Sequence, residues 1–297
     1  MSAPLLPTSD VIGLTTAAPL SRRGFMTATA ASAAGYTLAA GPVRADVITT
    51  DTKGLDTGTG TVRVISEEMP VYYARPTGVS SPPVILVAME IFGLHEYIKD
   101  VARRLAKLGA FAVAPDYYFR KGDLTKITDI KELLPLVNAK PDSQLFSDLN
   151  STVAWANVQG GDATRLGIVG FCRGGRTVWE YAAHDPSLRA GVAFYGPLVD
   201  PTNPPNPGWP KSPTDLAPEM KAPVLGLYGG ADTGIPVAQV EAMKAALEAA
   251  HKTAEFKIYP DAPHGFHADY RPSYRKDAAE DAWSRMQAWF KKYGVLS

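Results

Sequence analysis

The chain has 297 residues, 45% of them apolar and 20% charged, with 30 basic and 30 acidic side chains in balance. That mix buries enough apolar surface to offset the ordering entropy of a globular domain, which excludes disorder as the main state, and the lack of a basic field argues against nucleic acid as a partner. A single cysteine, Cys172, excludes an internal disulfide and any multi-thiolate metal site, and no run reaches the roughly 18–20 apolar residues a membrane-spanning helix needs.

Residues 1–45 read as an address. They hold Arg22, Arg23 and Arg44 against one acid, Asp10, with no lysine or glutamate. Ser21-Arg22-Arg23-Gly24-Phe25 resembles the bacterial twin-arginine export signal. A small-residue stretch then runs to Pro42, and Val43-Arg44-Ala45 offers small side chains at both positions a signal peptidase reads. The alternative is an Ala-rich helix opening the fold. On the first reading, 46–297 is the mature domain, exported folded to the periplasm by the export machinery, without stable membrane insertion.

Beyond Ala45 comes a β-type pair, Thr61–Ile65 and Val71–Ala74. Short apolar runs follow at Val84–Met89, Phe111–Ala114, Leu166–Val169, Ala190–Tyr195, Val224–Tyr228 and Phe256–Tyr259. Runs this short and apolar suit strands buried on both faces. Helix-period segments lie between them at Glu96–Lys107, Gln144–Asn157, Gly174–Ala183 and Val237–Ala250. A last helix, Ala278–Lys292, takes Asp277 as its expected N-cap and sets Trp283, Met286 and Phe290 on one face. The alternation predicts the α/β class, a mostly parallel sheet with helices on both faces in one domain. Gly122–Asp142 and Pro197–Pro218, the second with eight prolines, are long connections of the kind that form lids or pocket walls.

Gly170-Phe171-Cys172-Arg173-Gly174-Gly175 follows one strand and opens a helix, the context of a nucleophile elbow with cysteine in the serine position. Small flanking residues suit so sharp a turn, the helix N-terminus favours an anion, and the Arg173 N–H can help bind an oxyanion. The alternative is a buried structural cysteine. Asp232 lies 60 residues on, just past a strand, and His264 another 32, just past the last strand. Nucleophile, acid and histidine in that order, at strand ends, form a candidate triad, although Asp232 alone also reads as a helix cap. His95-Glu96 lacks the second histidine of a zinc-protease helix, and His264 and His267 lack a third ligand, so no metal and no cofactor are expected.

These segments resemble the dienelactone hydrolase (carboxymethylenebutenolidase) family of α/β-hydrolases. The resemblance rests on Met89-Glu90-Ile91-Phe92-Gly93, Ala114-Pro115-Asp116-Tyr117-Tyr118, Gly170–Gly175, Gly229–Asp232 and His264-Gly265-Phe266, and covers roughly Val62 to Phe290. It implies an α/β-hydrolase fold, Cys172, Asp232 and His264 as the triad, and Ile91 and Arg173 as oxyanion-hole amides. It also implies that Glu90 deprotonates the thiol when substrate arrives. Read on its own, Glu90 is a strand-end carboxylate that burial should raise toward base work, or a partner of Arg173 or another arginine. The family's substrate arginines are missing here: Ala268 stands four residues after His264, and Gly122–Asp142 holds no arginine. Arg271, Arg173 and Arg176 are the other anion candidates, with Tyr118, Arg120 and Tyr195 as further substrate contacts. The expected activity is cleavage of a small carboxylic ester or lactone through a thioacyl-enzyme, by a monomer. A broader esterase or thioesterase is the alternative, and a redox-sensing thiol protein the rival from another class.

Overall fold

The computed structural model describes residues 47–200 and 206–297, so the expected export signal lies outside the described residues. The eight strands are β1 (Leu55–Val64), β2 (Glu67–Pro76), β3 (Pro83–Ala88), β4 (Phe111–Pro115), β5 (Asp162–Phe171), β6 (Ala190–Phe194), β7 (Val224–Gly229) and β8 (Ala254–Tyr259). They form one sheet in the order β1-β2-β4-β3-β5-β6-β7-β8. β2 runs antiparallel to β1 and β4, and the remaining pairs are parallel.

The strand residues explain this arrangement. Every residue of β3, β4, β6 and β7 is buried, which a sheet reaches only when both faces are covered, and those strands are correspondingly apolar throughout. At the antiparallel edge the pattern changes to alternation, with Val62 and Val64 turned inward between exposed neighbours. The helices are α1 (Glu96–Lys107), α2 (Ile130–Asn138), α3 (Asp142–Val158), α4 (Arg173–His184), α5 (Val237–Ala249) and α6 (Lys276–Lys292). None of them is long and apolar enough to cross a membrane.

Two local expectations are corrected. Gly122–Asp142 is no bare connection, because Asp129 caps α2 by accepting from the Lys131 amide at 2.8 Å, and Leu133 and Val137 bury its inner face. Asp277 does not cap α6. Arg275 occupies that position without a side-chain cap, and Asp277 sits in the first turn, where its charge still complements the helix dipole.

One topological feature positions the site. β3 leads to β4 on one side and the chain then returns to β5 on the other, so the strand order reverses between β3 and β5. Crevices open at the carboxyl ends of strands at such a switch point. Glu90 lies just past β3 and Cys172 just past β5.

Candidate active site

Cys172 sits between β5 and α4 at φ 56° and ψ −119°, a conformation that L-residues rarely adopt and that costs on the order of 1–3 kcal/mol. The surroundings enforce it. Its amide donates to the Phe194 carbonyl at 3.0 Å, and its own carbonyl accepts the first helical bond from Arg176 at 3.2 Å. A side chain at Gly170 would lie 2.1 Å from the Gly174 oxygen, and one at Gly174 would lie 2.0 Å from the Ala88 oxygen. The helix therefore starts pressed against β3, with cysteine at its N-cap. Arg173 is the first helical residue, whose amide has no partner within a helix. Ile91, which was expected to supply the second oxyanion amide, is buried just past β3.

His264 and Asp232 meet here too. Gly230 donates to the Tyr259 carbonyl at 2.7 Å and Ala231 to that of Ala262 at 3.1 Å, tying together the loops after β7 and β8. Asp232 Oδ1 accepts from the Gly234 and Ile235 amides at 2.8 and 3.0 Å, while Oδ2 meets His264 Nδ1 at 2.7 Å. One carboxylate thus orders its own turn and holds the imidazole. Burial opposes a charge on His264, but Asp232 and the neighbouring Cys172, which also hydrogen-bonds the ring, outweigh it and hold its pKa up at about 10. An imidazolium held in this way can give a proton to a leaving group.

Glu90 corrects the expectation of a carboxyl raised by burial. Its side chain is 2% exposed, yet its pKa is pulled down to about 2. Burial does push upward, but three partners converge on Oε2 and overcome it: Arg271 Nη2 at 3.8 Å, His95 Nε2 at 3.0 Å and the Tyr270 hydroxyl at 3.0 Å. The arginine that pairs with Glu90 is Arg271, not Arg173. The Arg271 guanidinium lies over the Phe92 and Tyr270 rings at 4.5 and 4.4 Å, and its buried Nε has no hydrogen-bond partner.

The other anion candidates are engaged elsewhere. Arg173 donates to Glu180 at 3.0 Å and Arg176 donates to the same carboxylate at 2.6 Å; both guanidinium groups lie on the Trp209 ring. Arg120 is pinned to Asp148 at 2.9 and 3.2 Å and to Glu67. Glu180 was legible in principle, since it falls four and seven residues after the two arginines on one helical face. Tyr118 is buried beside Arg173, Glu180 and Cys172. Tyr195, also at positive φ (38°), turns its ring edge-on to His264 at 5.1 Å. His267 is a packed, neutral histidine: burial drops its pKa to about 3, Nδ1 meets the Tyr97 hydroxyl at 2.7 Å, and its ring stacks on Trp283. Sequence reasoning missed His95 and Tyr270 as partners of Glu90. No spacing rule joins them, because they reach it from a helix start and from the loop after β8.

A mostly parallel eight-stranded sheet with a strained strand-to-helix turn at its switch point defines an α/β-hydrolase. The dienelactone hydrolase family profile matches residues 69–294. A Methylorubrum extorquens protein described as "Putative carboxymethylenebutenolidase" is 50% identical over 290 residues, covering 97% of this chain and 98% of its own. An Escherichia coli K12 protein of the same description is 48% identical over 262 residues, covering 88% and 96%. A crystal structure from Klebsiella pneumoniae described as "Putative Dienelactone Hydrolase" superposes with a TM-score of 0.78 at 48% identity, over 80% of this chain and 99% of that one. The chain belongs to the dienelactone hydrolase family and is a carboxymethylenebutenolidase-like hydrolase.

Proposed function

We propose that the protein hydrolyses a small carboxylic ester or lactone through a thioacyl-enzyme on Cys172. The observation that carries this reading is the strained Cys172 at a helix N-terminus, hydrogen-bonded to an imidazole that Asp232 holds at 2.7 Å. The Cys172 sulfur attacks the carbonyl, and the amides of Ile91 and Arg173 receive the oxyanion. His264, protonated, gives its proton to the departing alcohol and then activates the water that cleaves the thioester.

Glu90, just past β3 at the same switch point as Cys172, is the base for the thiol. In the resting site Arg271, His95 and Tyr270 keep that carboxylate too weak a base. An anionic substrate that takes over the Arg271 guanidinium removes the nearest positive charge from Glu90 and restores its basicity. The unpartnered Nε of Arg271 supports a substrate bearing a carboxylate, which a guanidinium grips in bidentate fashion. Tyr118 and Tyr195 then act as walls, not as charge partners.

Cys172→Ala tests the reading: a folded variant by circular dichroism that has lost nearly all hydrolysis of a small activated ester supports it, and normal turnover would end it. Export through residues 1–45 belongs to the same proposal and is supported by the arginine pair and the cleavage-like Val43-Arg44-Ala45. Replacing Arg22 and Arg23 together by lysine should hold the protein in the cytoplasm, and fractionation with mass spectrometry of the N-terminus decides it.

A further inference from the structure

Arg271 reaches Glu90 from a turn, and a turn needs an outside hold to keep a charged side chain in one place. The backbone bonds of this stretch are local. Ala268 donates to the Gly265 carbonyl and Arg271 to that of Ala268, each at 3.0 Å, and Arg275 donates to that of Phe266 at 2.9 Å. These bonds shape the turn without tying it to a neighbouring element. The tie to α1 is ionic. Asp269, 1% exposed between Ala268 and Tyr270, is paired with Arg104. Burial pushes the Asp269 carboxyl up, and Arg104 is the charge that opposes it.

Arg104 is itself held from behind. Its Nε donates to Asp100 Oδ2 at 2.5 Å, one helical turn back, while Nη2 donates to Asp269. One planar guanidinium thus spans two buried carboxylates, and its rigid fork sets the distance between them, as a flexible ammonium could not. The other oxygen of Asp100 is also filled: Oδ1 accepts from the Thr50 amide at 2.6 Å and from Arg103 at 3.0 Å. The Thr50 segment is pinned in turn by Lys107, which donates to Asp51 and to the Lys53 carbonyl at 2.7 Å each. A line of bonds therefore runs from Thr50, ahead of β1, through Asp100 and Arg104 to Asp269, two residues before Arg271.

We propose that Arg104 is a positioning residue that gives this site its preference for anionic esters: by clamping Asp269 it sets where Arg271 stands, with Asp100 and Thr50 bracing it. The inference rests on the reading that Arg271 receives the carboxylate of the substrate. Without the clamp, Asp269 is a buried charge without its cation. It then takes up a proton or moves toward water, and in both cases the turn is released. A guanidinium grips a carboxylate through two parallel bonds only when it stands in the right place, so a released turn costs an anionic substrate more than a neutral one.

The test compares two substrates that differ by one charge, mono-p-nitrophenyl succinate and its methyl ester. It uses the full chain at neutral pH, with circular dichroism confirming each fold. The wild type should favour the anionic ester in kcat/KM. Arg104→Met should cut that preference by about tenfold or more, within the roughly 10²-fold that a misplacement of about 1 Å can cost. The loss should appear as a raised KM for the anionic ester, with KM for the neutral ester unchanged. If Arg104→Met does not fold, adding Asp269→Asn removes the orphaned charge without restoring the clamp, and the preference should still be lost. Equal losses on both esters, or a wild-type preference in either folded variant, overturn the proposal and make the pair purely structural. Arg271→Met separates the clamp from the reading beneath it. A preference lost in Arg271→Met but kept in Arg104→Met sinks the clamp alone; a preference kept in Arg271→Met, or absent from the wild type, sinks both.

Discussion

Arg271→Met shows how Glu90 is held. The carboxyl lies near 2 instead of its ordinary 4.5, although burial alone would raise it, because Arg271 first and then His95 and Tyr270 pull it down. A shift of that size is linked to roughly 3 kcal/mol of folded-state stability, at about 1.4 kcal/mol per unit. Arg271 makes the largest favourable contribution, and methionine keeps apolar contact with Phe92 and Tyr270 without the charge. The variant should therefore lose about 2–3 kcal/mol at pH 7, near the lower end for breaking a buried pair, because two hydrogen bonds to Oε2 survive. The sign with pH follows from a depressed carboxyl. Its contribution is present above the unfolded value near 4.5 and is lost as pH falls through about 2, so the gap between the proteins should narrow over that window. Urea unfolding at pH 7 and at several lower values measures it. Adding Glu90→Gln to the variant should recover most of the loss, since no buried charge is then left unpaired. Equal stability at pH 7, within about 0.5 kcal/mol, would refute the account of a carboxylate held by Arg271.

Asp232→Asn should leave the turn intact, because Oδ1 can still accept from Gly234 and Ile235, while kcat for a small ester falls by about 10⁴-fold as in other triads. The same variant should return the His264 pKa from about 10 toward the ordinary imidazole range, readable by NMR titration; a loss of activity below about tenfold counts against the triad. Arg120→Ala strips a partner from the buried Asp148, which keeps Lys140 at 2.5 Å, so about 1–3 kcal/mol of stability should go while KM for the ester stays unchanged. A raised KM without a loss of stability would return Arg120 to the substrate.

The central strands were legible because they are short apolar runs, and β3, β4, β6 and β7 proved buried along their whole length. The boundaries that slipped lie where the pattern weakens. β1 extends back to Leu55 through Gly58 and Gly60, whose pairing with Tyr73 and Val71 no apolar periodicity announces. α2 was missed because Pro135 sits inside it; its cap, Asp129, carries the better signal. The positions of Cys172, Asp232 and His264 were legible for a different reason. A nucleophile elbow is a local motif, and strand ends fix where the acid and the histidine can stand.

Charge partners were not legible, because pairing of buried charges is decided by which loops fold back onto one another. The sequence offered Arg173 beside the nucleophile as a partner for Glu90. In the fold its guanidinium lies under Trp209 with Glu180, and the arginine on Glu90 is Arg271. The loop after β8 accounts for this. Ala268, in the place where the family pattern has an arginine, is fully buried, and its amide closes a turn on the Gly265 carbonyl at 3.0 Å. A second turn of the same span follows, from the Arg271 amide to the Ala268 carbonyl at 3.0 Å, and it carries Tyr270 and Arg271 onto Glu90. The anchor is the Arg104–Asp269 pair, with Asp269 buried between Ala268 and Tyr270, so α1 fixes where the second turn comes to rest. A positive charge is thus returned to the site three residues later than the pattern expects, and this explains how Glu90 can sit ionised in a pocket whose burial alone would neutralise it.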